Sequence, residues 1–311
     1  VSDNVMVFAP APVLTVTIEH QAGALELHVH AGGQGIWQAR MLVSLGASVI
    51  LCAAMGGEVG SIVRRVLADE EITLRAVLRQ AGSGWYVDDR RDGRQRIAEA
   101  PGAPMIRHDL DELYNVSLAE GLRASVVVLS GPGHPSVVAP DVYRRLAADL
   151  TANGGRVVAD LAGEHLRAAL AGGVAFVKVA HDEAIQDGWA SRDNLDEMVS
   201  AAHKLRAAGA ESVLVSRAEK PAVALFEDQL VQVEVPRLQE ADHTGAGDSM
   251  TAGVAAVLAR RGGTEEAIRN GAAAGALNVT RHGLGTGRLE AVQELIGRVR
   301  LAPLRGEGGR R

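Results

Sequence analysis

The sequence predicts an α/β protein, with a central, mainly parallel sheet flanked by helices and a small β-sheet lid. Three observations carry this. Short β-branched runs alternate with Ala/Leu/Arg-rich segments of helical length through most of the chain, the rhythm of βα units. Most of those runs are continuously apolar, as strands covered on both faces must be. Two stretches, Val13–His30 and Ile72–Glu99, instead alternate apolar with polar residues, as in Leu25-Glu26-Leu27-His28-Val29-His30, and carry a turn signal at Asp92-Gly93. They read as antiparallel strands with one exposed face that come together over the core.

In chain order the core strands are expected at Val5–Ala9, Ser48–Ala54, Ser125–Ser130, Arg156–Leu161, Val174–Val179 and Ser212–Ser216. Helices are expected at Gly35–Leu45, Ser61–Glu70, Asp141–Thr151, Asn194–Ala208, Asp248–Arg260, Thr264–Thr280 and Leu289–Arg298. This assigns residues 1–10, 31–71 and 102–304 to the core, 11–30 and 72–101 to the lid, and the Gly/Arg-rich 305–311 to a disordered tail.

The chain has 311 residues and a formal net charge of −6, so no global attraction draws it to nucleic-acid backbones or anionic membranes. Aromatic residues make up 3%, which leaves few platforms for stacking unpaired bases. A single cysteine, Cys52, excludes an internal disulfide and a multi-cysteine zinc site, and it reads as a small core residue. His20, His28 and His30 lack an evident fourth ligand for zinc and read as lid surface. With no long apolar stretch and no signal-peptide pattern at Val1–Pro10, a cytoplasmic location is expected.

The most informative stretch is Asp242-His243-Thr244-Gly245-Ala246-Gly247-Asp248-Ser249-Met250, ahead of the helical run Thr251–Arg260. A glycine-rich turn entering a helix aims several backbone N–H groups and the positive end of the helix dipole at one spot, which suits a phosphate. The ionised form of an aspartate at that terminus is favoured, so it can take a proton from an attacking alcohol. The plainer reading is a capped helix start.

The longer string closely resembles the second signature of the ribokinase-like (PfkB-type) carbohydrate kinases. The stretch Gly32-Gly33-Gln34-Gly35-Ile36-Trp37-Gln38-Ala39-Arg40, followed by Leu45-Gly46, resembles the first. Leu129-Ser130-Gly131, the run Ala273–Thr280 and the split lid extend the likeness along the chain, nearest to the 1-phosphofructokinase and tagatose-6-phosphate kinase branch. The resemblance implies a ribokinase-like fold, Asp248 as catalytic base, and Gly245, Ala246 and Gly247 as the anion hole. It implies Thr15, Gly32, Gly33, Gln34, Trp37 and Trp85 at the acceptor, and Ser216, Arg217, Thr244, Gly245, Gly247 and Asn278 at ATP. It also implies Glu183 at Mg²⁺, which the family holds through an N-x-x-E element. Family members often dimerise through their lids, and a homodimer of that kind is expected.

The acceptor side departs from the pattern. Thr15 stands where the branch has an aspartate, Gln34 where it has a phosphate-binding lysine, Trp37 where it has an asparagine, and Ser83-Gly84-Trp85 where it has Thr-Arg. Removing cations from an anion site costs affinity. The indoles Trp37 and Trp85 are either walls for a flat or apolar acceptor or fillers of core or dimer space. Arg90, Arg91, Arg94 and Arg96 are either replacement phosphate ligands or a solvated hairpin face. His134, after Gly131-Pro132-Gly133, is placed near the cleft.

On the nucleotide side, Ser216-Arg217-Ala218-Glu219-Lys220-Pro221 lacks both glycines of the family's S-x-G-x-x-G, and Ala180-His181-Asp182-Glu183 keeps only the glutamate of N-x-x-E. Glu183 reads as an Mg²⁺ carboxylate or as a helix-start carboxylate. The expected function is ATP-dependent phosphorylation of a hydroxyl on a sugar, sugar phosphate or similar small molecule. The alternatives are a nucleoside kinase and a non-catalytic ligand-binding regulator on the same fold.

Overall fold

A computed structural model describes residues 3–21, 23–236, 238–239, 243–280 and 287–304. Asp242, Arg281 and the 305–311 tail lie outside the described residues. In chain order the strands are β1 (Asn4–Phe8), β2 (Val13–Gln21), β3 (Ala24–Gly32), β4 (Ser48–Gly56), β5 (Thr73–Arg79), β6 (Trp85–Asp89), β7 (Gln95–Ala100), β8 (Val126–Ser130), β9 (Val157–Asp160), β10 (Val174–Ala180), β11 (Ala210–Arg217), β12 (Lys220–Phe226), β13 (Gln229–Glu234) and β14 (Arg300–Pro303). The helices are α1 (Gln34–Ser44), α2 (Gly57–Leu67), α3 (Arg107–Gly121), α4 (Asp141–Ala152), α5 (Gly163–Gly172), α6 (His181–Gln186), α7 (Leu195–Ala207), α8 (Ala246–Ala259), α9 (Thr264–Asn278) and α10 (Leu289–Ile296).

Among the described residues, one large sheet runs in the order β14-β13-β12-β11-β10-β9-β8-β1-β4-β5. It is parallel from β11 through β5 and antiparallel from β11 to β14. The continuous apolar runs follow from burial on both faces. In β1, Val5 and Val7 join the cluster under α1, α2, α8 and α9, while Met6 and Phe8 join the one under α3, α4, α5 and α7. Tyr143 of α4 is fully buried, edge-on to Phe8 at 5.3 Å, and its hydroxyl donates to the Ser130 carbonyl at 2.9 Å, anchoring the end of β8. Cys52 is buried in β4, and burial pushes its thiol up to about 12. No helix of the described residues is long and apolar enough to cross a membrane.

Chain order reverses at β1, which lies between β8 and β4, so a crevice opens beyond the carboxyl ends of these strands. Helix α1 starts in that crevice. A Cβ on Gly35 would come within 2.4 Å of the Ala9 Cβ, so only glycine lets the helix approach β1 this closely. The alanine-rich α8 packs on α9 and α1, and the Asn270 amide ties the pair by donating to the Gly253 carbonyl at 2.7 Å.

A second sheet, β3-β2-β6-β7, forms the lid. Two features differ from expectation. Residues 73–79, assigned to the lid, form β5 and pair in parallel with β4 at the edge of the large sheet. An edge strand covered on one face shows the same alternation as a lid strand, and Leu78 is indeed exposed. The lid is also not wholly antiparallel. Hairpins β2–β3 and β6–β7 join through a parallel β2–β6 pair.

Candidate active site

The Thr244–Asp248 segment turns into α8 at the crevice. Gly245 takes φ +80°, a left-handed conformation that costs glycine nothing, and the helix starts at Ala246. The Ala246 N–H donates to the His243 carbonyl at 3.3 Å, and the next amides of the turn stand at the positive end of the helix, where an anion is favoured. Asn278 at the end of α9 holds the loop in place. Its amide donates to the Thr244 carbonyl at 2.8 Å, and its oxygen accepts from the Ser249 hydroxyl at 3.1 Å. Asn278 is 0% exposed and shapes the loop from below.

Beneath the glycines lies a polar network inside the sheet. Asp160 and Lys178 are register neighbours on β9 and β10, and the ammonium meets Asp160 Oδ1 at 3.2 Å. The other carboxylate oxygen of Asp160 accepts from the Gln38 amide at 2.9 Å and the Thr251 hydroxyl at 2.7 Å. The Ser130 hydroxyl donates to the oxygen of Gln38. A Cβ on Gly247 would fall 2.5 Å from Lys178 Nζ, so the ammonium forms the floor of the glycine turn. Burial opposes that charge, but Asp160, Glu183 and Asp248 outweigh it and hold Lys178 above the ordinary lysine range.

Asp248 is buried in the first turn of α8. Burial raises its carboxyl, Asp160 adds to the rise, and Lys178 and a hydrogen bond from Gln34 oppose it, leaving it at about 7. The Gln34 oxygen accepts the Gly131 N–H at 2.6 Å. Gln34 and Gln38, one turn apart on α1, thus reach Asp248 and Asp160. Glu183 caps α6 by accepting the Ala180 N–H at 2.9 Å, and burial raises its carboxyl against the pull of Lys178.

The acceptor residues divide. Thr15 is buried on β2, its hydroxyl has no hydrogen-bond partner, and a Cβ on Gly32 would lie 2.2 Å from that oxygen. Gly32 and Gly33 lead into α1, where the Trp37 N–H donates to the Gly33 carbonyl. Trp37 and Trp85 are both half-buried, and Trp85 packs against the hydrophobic cluster at the lid root. His134 is exposed, with Nδ1 2.7 Å from the Ser136 hydroxyl.

On the nucleotide side, Ser216 and Arg217 end β11 at a tight hairpin whose turn residue Ala218 has φ +47°. Arg217 is 7% exposed and bound to Asp193 at 2.8 Å, with Lys220 on the same carboxylate. The Arg217 guanidinium is engaged in this internal ion pair. Sequence reasoning passed over Asp160, Lys178, Gln38 and Thr251. The legible signal was a lone lysine inside the apolar run Val174-Ala175-Phe176-Val177-Lys178-Val179.

A glycine turn at a helix start beside a buried carboxylate and ammonium, at the switch point of a parallel sheet, is an arrangement suited to phosphoryl transfer. Residues 15–291 match the family model described as pfkB family carbohydrate kinase, and the chain belongs to that family. It is therefore a carbohydrate kinase, transferring phosphate to a sugar hydroxyl.

The chain is 29% identical over 259 residues to the ATP-dependent 6-phosphofructokinase isozyme 2 of Escherichia coli K12, covering 81% of this chain and 82% of that protein. It is 28% identical over 277 residues to the 1-phosphofructokinase of Bacillus subtilis 168, covering 88% and 89%. The crystal structure of Escherichia coli phosphofructokinase-2 in complex with substrates and products superposes with a TM-score of 0.80 at 25% identity, over 95% of this chain and 99% of that one. The ribokinase of Arabidopsis thaliana shares the fold, with a TM-score of 0.73 at 20% identity over 95% and 99%.

Proposed function

We propose that the protein phosphorylates a hydroxyl of a sugar phosphate from ATP, with Asp248 as general base. The observation that supports this most is the buried Asp248 beside the Gly245–Gly247 turn, with Lys178 beneath it. Asp248 takes the proton of the attacking hydroxyl, the Gly245–Gly247 amides receive charge on the phosphoryl oxygens, and Lys178 steadies both from below. The unpartnered Thr15 hydroxyl and the Gln34 amide orient the acceptor.

Glu183 offers the hard oxygens that Mg²⁺ takes alongside waters and phosphates, and it fits a divalent cation held mainly by the nucleotide. When bound, Mg²⁺ neutralises charge on the ATP phosphates. For the phosphate of the acceptor the candidate is Arg90, whose Nε is buried without a hydrogen-bond partner. Its parity along the lid puts it on the face of Thr15, Tyr86 and Asp88. We place the enzyme in the cytoplasm, where sugar phosphates and ATP meet.

The test is ADP release from MgATP across a panel of sugar phosphates, sugars, polyols and nucleosides, followed over pH. A carboxyl raised to about 7 must lose its proton to act as base, so kcat/KM should climb as pH rises through about 7 and level off above it. A flat profile from pH 5 to 9, or activity with nucleosides alone, contradicts the proposal.

The opposite face of the lid supports a homodimer. Leu25, Leu27 and Val29 share one side of β3 and are exposed, Leu27 at 63%. Ile97 on β7 is likewise exposed. Structural relatives include a tetrameric inhibited form of Escherichia coli phosphofructokinase-2. A Leu25→Glu/Leu27→Glu variant is expected to convert a dimer to a monomer in light scattering, and an unchanged mass would show that the contact lies elsewhere.

A further inference from the structure

We propose that Arg94 is a ligand of the phosphoryl group in transfer, delivered by the lid of the same chain; this rests on the kinase reading above. Arg94 follows the lid turn at Asp92-Gly93, yet its Nη1 donates to the Thr244 hydroxyl at 2.6 Å, across 150 residues of sequence. Thr244 immediately precedes the Gly245–Gly247 turn. The lid hairpin therefore reaches the rim of the anion hole itself.

The guanidinium is aimed as well as near. Arg94 Nε is held at 3.0 Å by Asp88, which is 1% exposed on β6. Arg96 binds the other oxygen of the same carboxylate at 2.6 Å, and also Glu99 at 2.7 Å. Arg94, Arg96, Asp88 and Glu99 together make a cluster of two guanidiniums and two carboxylates, and the partner of Arg94 on the loop is a neutral hydroxyl. Two of the five N–H donors of Arg94 are engaged in these contacts, and a guanidinium fork matches the geometry of phosphate oxygens. Arg91, on the same hairpin, is bound to Asp89 at 2.6 Å and serves as an internal control.

The test is titration calorimetry of MgADP with and without tetrafluoroaluminate, a planar mimic of the phosphoryl group in flight, on the wild type, Arg94→Ala, Arg94→Lys and Arg91→Ala. Tetrafluoroaluminate should tighten MgADP on the wild type and on Arg91→Ala by about tenfold or more. Arg94→Ala should lose that gain while binding MgADP alone within about threefold of wild type, and Arg94→Lys should restore part of it. A merely structural role for Arg94 would weaken both titrations together, and that result overturns the inference. So does an Arg94→Ala protein that keeps the full gain, or a wild type that binds MgADP with no gain at all. A wild type that fails to bind MgADP overturns the kinase reading too.

Discussion

Asp248→Asn should lower turnover by roughly 10²- to 10⁴-fold, the range for removal of a positioned general base, while MgADP still binds. The same substitution should make the protein more heat-stable at pH 8. Burial raises the Asp248 carboxyl from 3.8 to about 7, so its charged form is disfavoured in the folded chain. The stability associated with the protonated form is fully present below about pH 4 and is lost as pH rises through about 7. Asparagine stays neutral throughout. The variant should therefore melt above the wild type at pH 8, with the gap closing below pH 4, as read by scanning calorimetry. Full turnover in the variant, or a stability gap independent of pH, would remove Asp248 from its assigned role.

Lys178→Met should cost both activity and stability. Removing one partner of a buried ion pair typically costs about 3–5 kcal/mol, because the remaining charge is stranded. Asp160 would keep its hydrogen bonds from Gln38 and Thr251 but lose its cation. At about 2 °C per kcal/mol for a chain of this size, the melting temperature should drop by roughly 5–10 °C. Turnover should fall by about 10²-fold or more, since the floor of the glycine turn loses its positive charge. Adding Asp160→Asn to Lys178→Met should recover part of the stability and none of the turnover. Recovery of both would mean that Lys178 serves only the fold.

The six core strands were legible because burial on both faces leaves long apolar runs, and α8 begins only two residues before its expected start at Asp248. The antiparallel extension β12–β14 was not, because Lys220-Pro221 opens β12, Gln232 breaks the apolar run of β13, and β14 is only Arg300–Pro303 with both ends exposed. Helices α3, α5 and α6 were likewise missed. Of these, α5 and α6 run for only 10 and 6 residues, too short for helical periodicity to stand out, and α3 carries charged residues along its length. At the site, the glycine motif carried its own signal. The network below it did not, since Gln38, Asp160, Lys178 and Thr251 are scattered over four elements and meet only when the sheet has formed. The competition between Asp193 and phosphate for Arg217 was equally invisible in the sequence.

Cys52 makes the chain a blank for thiol chemistry. Its sulfur is buried in β4 and held as the thiol up to about pH 12, so maleimides and similar reagents at neutral pH pass it by. A cysteine introduced at Asp92, at the tip of the lid hairpin, would be the one reactive thiol on the native protein. A single fluorophore or spin label placed there would report the surroundings of the lid tip beside Thr244 with no background to subtract and no native residue to sacrifice in the core.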